Sequence, residues 1–206
     1  GGTVNARHLV LTGNLDDTVD WDEGWQGNVQ YVLVIQGPDT TGNIIEADTE
    51  GTLDFLSKPT IANATFIGNG SQTTGAVFKA TSGGFLHHSV ITFDASITDP
   101  TTCVNSSDAA ISGTELVMTN VVADCDVSGD TTLIPAPIAD VALDATYASQ
   151  AAEAAAVGTL DIAAINVTYA ESVADPAFFD ATDYAGAVDP AGGDDWFAGW
   201  TLDGTL

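Results

Sequence analysis

Apolar and polar positions along the chain group into short runs of β-branched and aromatic residues, separated by Gly, Asn, Asp and Ser. The clearest stretch is 60–93. It reads Thr60-Ile-Ala-Asn-Ala-Thr-Phe-Ile-Gly-Asn-Gly70, then Gly75-Ala-Val-Phe-Lys-Ala-Thr-Ser-Gly-Gly84, then Phe85-Leu-His-His-Ser-Val-Ile-Thr-Phe93. Brief runs of this kind bounded by turn formers predict strands. No amphipathic segment long enough for a helix precedes residue 144, so helices joining the strands of a doubly wound α/β sheet are not expected.

The strand cores Leu9-Val-Leu11, Val32-Leu-Val34, Thr65-Phe-Ile67, Val90-Ile-Thr92 and Val117-Met-Thr119 follow one another at spacings of 23, 33, 25 and 27 residues. Repeats of this length are typical of solenoids, in which a single unit cannot bury its own face and must stack on its neighbours. Each repeat carries a second strand, seen at Asn43–Glu46, Ala76–Lys79 and Thr102–Asn105, and the acidic segment 39–50 loops out of the longest spacing. A β-sandwich also has short, evenly spaced strands. The recurring whole-unit period and the corners Gly68-Asn69-Gly70 and Gly83-Gly84 favour the coil. Many strands are apolar at both parities, so the inward face is not assigned.

Three segments carry a family resemblance: Gly-Asn-Ile-Ile-Glu-Ala-Asp (42–48), Pro-Thr-Ile-Ala-Asn-Ala-Thr-Phe-Ile-Gly-Asn-Gly (59–70) and Asp-Trp-Phe-Ala-Gly-Trp-Thr (195–201). Through them the chain resembles right-handed parallel β-helix proteins of the pectin-lyase-like type, in particular secreted bacterial β-helix proteins of unknown function. The resemblance implies an architecture rather than an activity. The fold class expected is therefore all-β, a right-handed parallel β-helix with one short helix and an aromatic C-terminal tail.

Pro135 and Pro137 mark a boundary, giving a coil over 1–135 and a terminal region over 136–206 that packs on or caps it. Asp144–Val157 is Ala-rich, can be capped by Asp144 or Thr146, and is closed by Gly158, so it predicts the one helix. The tail beyond Pro176 contains Phe178, Phe179, Tyr184, Trp196, Phe197 and Trp200, and so large an apolar content predicts packing against the coil or a neighbour.

Charge changes the picture most. Among 206 residues, 29 Asp and Glu face only Arg7, Lys58 and Lys79, a formal net charge of −26, although 45% of residues are apolar. Asp is a turn and cap residue, so the charge belongs in loops around an apolar coil. Such a field repels nucleic acid, anionic lipid and acidic polysaccharides, and it attracts divalent cations. No apolar run is long enough to span a membrane, so direct membrane insertion is not expected. The opening Gly1-Gly-Thr-Val, without Met, reads as a processed or excised piece. Cys103 and Cys125 stand 22 residues apart, close to one repeat, which would place them in adjacent layers about 5 Å apart and within disulfide reach. With the acidity, that pair points to an extracellular or cell-surface location.

Candidate chemistry is sparse. A polysaccharide lyase needs a base and cations at the sugar carboxylate, and three scattered basic residues do not supply them. Abundant Asp makes any glycosidase carboxylate pair uninformative. His87 and His88 are neighbours on a strand, so they point apart and cannot chelate one metal; one is expected inside and the other in solvent. Calcium suits the loops Asp16, Asp17, Asp20, Asp22, Glu23 and Asp124, Asp126, Asp130, neither of which is an EF-hand. Asn63, Asn69, Asn105 and Asn166 open glycosylation triplets. Asp20-Trp-Asp-Glu-Gly-Trp25 and Asp195-Trp-Phe-Ala-Gly-Trp200 share the pattern Asp-Trp-x-x-Gly-Trp, either hydrophobic plugs or aromatic platforms. The reading is a non-enzymatic extracellular structural protein that polymerises with itself by head-to-tail stacking, with Trp21, Trp25, Trp196 and Trp200 at its contacts. The alternatives are a calcium-dependent carbohydrate-binding or adhesion module and a polysaccharide-active enzyme.

Overall fold

The computed structural model describes residues 1–49, 56–69, 74–94, 97, 102–106, 116–123, 127–129, 138–140, 155–156, 177–191 and 196–202. Strand β1 (Ala6–Thr12) enters the first coil and β2 (Val19–Trp21) leaves it. The second coil holds β3 (Asn28–Ile35) and β4 (Ile45–Ala47), and the third holds β5 (Thr60–Gly68) and β6 (Thr74–Phe78). In the fourth coil the long strand is split into β7 (Gly84–His87) and β8 (Val90–Phe93), followed by β9 (Thr102–Ser106). The fifth repeats this with β10 (Leu116–Thr119), β11 (Val121–Ala123) and β12 (Val127–Gly129), and β13 (Ile138–Asp140) lies beyond.

All of these strands pair in parallel with their counterparts in neighbouring coils. One sheet runs β1-β3-β5-β8-β11-β13, with β7 and β10 continuing its other half, and a second runs β2-β4-β6-β9-β12. Two parallel sheets threaded alternately by one chain form a parallel β-helix.

Register corrects two of the expected alignments. Val32 lies opposite Ala64 rather than Thr65. Val90 lies opposite Val122, while Val117 stacks on Phe85. At the bend of the larger sheet stands a column of residues in the left-handed region: His8 (φ 58°), Tyr31 (φ 62°), Asn63 (φ 51°), His88 (φ 46°) and Asn120 (φ 53°). The flanking registers put these five opposite one another. A left-handed residue turns the strand and shifts its parity by one. Thus Ile61 is in the core before Asn63, and Ala64 and Phe66 are in it afterwards; Val29 precedes Tyr31, and Val32 and Val34 follow it. Asn tolerates this conformation, whereas a bulky Tyr adopts it only under surrounding constraint.

Inside the coil, Trp21, Ile45, Phe66, Phe78, Ile91 and Leu116 join one continuous core. The larger sheet is also buried on its outer face. Residues 177–191 and 196–202 lie along it: Phe179 packs on Ala62 and Phe85, Ala185 on Val90 and Val122, and Ala187, Val188 and Phe197 on Leu33, Ile35 and Ile67. Burial on both faces explains the strands that are apolar at both parities. Of the expected helix Asp144–Val157, the described residues Ala155 and Ala156 form instead the short strand β14 (Ala155–Ala156), antiparallel to β15 (Tyr184–Ala185). The rest of that segment lies outside the described residues.

Candidate functional site

The tail is fastened to the left-handed column by side chains that the bend turns outward. Gln30 and the backbone of Asp180 exchange hydrogen bonds: Gln30 Nε2 donates to the Asp180 carbonyl (2.9 Å), and the Asp180 N–H donates to Gln30 Oε1 (2.8 Å). Arg7 pairs with the Asp180 carboxylate, and Tyr31 Oη donates to it at 3.2 Å. Burial, then the nearby Tyr184 and Asp180, hold the Tyr31 hydroxyl well above its usual range, with Arg7 opposing. Asn63 accepts from Thr182 Oγ1 and Gln30 Nε2 (both 3.0 Å) and donates to the carbonyls of Tyr184 (3.1 Å) and Gly186 (3.4 Å). His88 donates from Nδ1 to the Tyr184 carbonyl (3.1 Å) and accepts at Nε2 from Asn120 (2.9 Å), the pattern of a neutral ring. Burial lowers its pKa, partly opposed by the Tyr184 carbonyl.

Both limbs of this strap reach the first coil. Asp180 meets Arg7 there, the chain runs to His88 and back, and Trp196 then packs edge-on against His8 at 5.1 Å. His87 and His88 are 3% and 1% exposed, so the expected solvent-facing histidine does not exist. The strand breaks at His88, alternation stops, and the strap covers the outer side. Burial, with a smaller contribution from His88, pushes the His87 pKa down to about 3.

Among the described residues β1 pairs only with β3, and β2 only with β4, so within that set the outward backbone edges of the first coil have no partner strand. Behind them lies a cavity of about 290 Å3 lined by Leu9, Leu11, Val19, Trp25, Val32 and Phe66. Trp21 is buried against Phe78 and Trp25, its indole N–H donating to Ser82 Oγ at 2.9 Å. Trp25 is half-buried and donates to the Val4 carbonyl at 3.2 Å. On the outer flank of the same coil Trp196 is half-buried, and Trp200 stacks on it at 6.0 Å and is 55% exposed. Sequence echo thus becomes proximity to one coil: the first Trp pair lies on its inner side and the second on its outer flank.

Of the predicted calcium ligands of the first loop, Asp17 and Asp22 accept hydrogen bonds from within the chain. Asp17 Oδ1 accepts from the backbone and side-chain N–H groups of Asn43, and Asp22 Oδ1 accepts from the Glu23 N–H. A Cβ at Gly42 would stand 2.2 Å from the Asp17 nitrogen, so this turn stacks closely enough to require glycine. Asp16 and Glu23 are exposed. Asp20 is also exposed, and its pKa is raised by desolvation and then by Asp17, Asp22 and Asp48, with Lys79 opposing. Lys79 itself bridges Glu46 (3.1 Å) and Asp48 (3.2 Å). Among the described residues no group of three or more His, Cys, Asp or Glu is arranged to hold a metal ion. Asp124, Asp126 and Asp130 lie outside the described residues. Cys103 is buried on β9, and its predicted partner Cys125 also lies outside them. Of the glycosylation triplets, Asn63 is buried and spent on the strap, Asn69 and Asn105 are half-buried, and Asn166 is outside the described residues.

A coil of parallel strands with an apolar core defines the chain as a solenoid of the parallel β-helix class. The model of the pectate-lyase-like β-helix domain family matches residues 1–201, and the chain belongs to that family. No curated protein and no solved structure matches it. Among the described residues no helix is long and apolar enough to cross a membrane.

Proposed function

We propose that this chain is a non-enzymatic extracellular structural module that joins further copies of itself end to end through its open first coil. The observation that carries the reading is that, among the described residues, two strand edges of the first coil face outward without a partner strand in front of a mainly apolar cavity. A buried strand edge needs a partner, and in a parallel ladder the outward edges of first and last strands are complementary by construction. A second copy offers such an edge at β13, the last strand of the larger sheet among the described residues. Of the exposed large apolar side chains, Val4 and Leu15 belong to the first coil's approach and turn. The end-to-end contact is heterologous, and contacts of that kind grow into filaments unless they close into rings.

Catalysis is disfavoured by the basic residues. Arg7 is paired with Asp180, Lys79 is held by two carboxylates, and Lys58 is 6% exposed, so none stands ready to take a proton from a substrate. Repulsion between subunits of −26 opposes assembly, so salt or calcium favours it. Sedimentation velocity on the native protein, across concentration in salt and calcium, tests the reading. The expected result is a concentration-dependent series of oligomers that Trp25→Ala weakens at least tenfold while the monomer stays folded. A monomer at every concentration, or a first coil already covered by other polypeptide of the same molecule, would overturn it.

A further inference from the structure

We propose that the Trp196–Trp200 pair on the flank of the first coil is a docking plate for a basic polypeptide segment, whose arginine or lysine side chains lie over the exposed ring of Trp200. The two indoles are stacked at 6.0 Å with 26° between their planes. Each is fixed by its N–H, Trp196 to the Ala187 carbonyl and Trp200 to the Trp196 carbonyl, both at 2.7 Å. The rings are therefore held in place before any ligand arrives, which lowers the entropic cost of binding. One ring of the pair remains 55% exposed, and Leu202 two residues on is 79% exposed.

The occupant follows from charge. A cation over an indole face is attracted by the ring's quadrupole, and Trp is the best of the aromatic residues for this. The same flank already solves the problem once within the chain. The Arg7 guanidinium lies 5.5 Å from the Tyr31 ring centre and 5.2 Å from that of Phe178, with the Asp180 carboxylate as counter-ion. Among the described residues no cation lies over the Trp200 ring. In sequence, Asp194, Asp195 and Asp203 flank the Trp pair, and the whole chain carries −26. A second copy is a poor occupant, because its three basic side chains are buried or paired internally. A neutral sugar draws nothing from the field, whereas a basic segment is both steered by it and held by the ring.

The test titrates the native protein with hexa-arginine and hexalysine peptides in about 0.15 M salt, read by peptide anisotropy and tryptophan fluorescence. Both peptides bind, and Trp200→Ala weakens the arginine peptide about fivefold while leaving the melting temperature unchanged. Trp25→Ala leaves peptide binding as it was, which separates this plate from the coil end. Equal affinity for the parent and Trp200→Ala would reduce the effect to general acidity and overturn the proposal. So would a neutral hexasaccharide that perturbs Trp200 fluorescence when the peptides do not, or displacement of bound peptide by added protein alone.

Discussion

Replacing Asn63 by Ala removes the central fastening of the strap. Asn63 is fully buried and makes four hydrogen bonds, two accepted and two donated. Two partners keep an alternative, since Gln30 Nε2 still reaches the Asp180 carbonyl and the Tyr184 carbonyl still accepts from His88. Thr182 Oγ1 and the Gly186 carbonyl lose the bonds described for them. Leaving two buried polar groups unpaired costs about 1–3 kcal/mol each. Alanine at φ 51° adds roughly 1 kcal/mol that asparagine largely escapes. The total is about 5 kcal/mol, which for a chain of this length lowers the melting temperature by about 10–20 °C. Thermal and urea unfolding measure it, and Asn63→Gly isolates the hydrogen-bond part because glycine accepts the backbone angle. Limited proteolysis of Asn63→Ala should cut within 177–191 sooner than in the parent. A loss below about 1 kcal/mol with unchanged proteolysis would refute the view that the column holds the strap.

Three further outcomes are expected. His87 is neutral in the fold and protonates readily only when unfolded, so stability is complete above about pH 6.5 and falls as pH drops toward 3, by up to about 1.4 kcal/mol per pH unit; His87→Gln should flatten that slope, and an unchanged acid profile would count against the buried neutral ring. Reduction should cost roughly 3 kcal/mol if Cys103 and Cys125 are joined, and two free thiols by intact mass in unreduced protein would remove that pairing. Raising salt from about 0.01 M to 1 M should raise the melting temperature by screening the −26 charges, and an insensitive transition would assign the acidity to solubility alone.

The coil was legible because strands, turns and period all repeat. Leu9 against Val32 and Thr65 against Val90 are the pairs the spacing predicts. The inward face was not legible, and the reason is local. At Tyr31, Asn63, His88 and Asn120 the backbone turns left-handed, the parity of the strand switches, and alternation read across the bend averages to nothing. A signal existed in the polar residues recurring at 31, 63, 88 and 120 inside apolar runs, since His and Asn are enriched among left-handed residues. The strap was hidden for another reason. Gln30 and Asp180 are 150 residues apart, and nothing in either segment names its partner. The Trp echo did not give the roles, because Trp21 is core while Trp200 is exposed.

Electron microscopy of the native protein in salt and calcium tests the central claim most directly. The account predicts unbranched stacks whose axial repeat is the length of one copy, with the first coil of each copy covered by its neighbour and the strap on the outer flank. Particles that remain single at every concentration, or that associate side by side through the strap with the first coil left open, would contradict it.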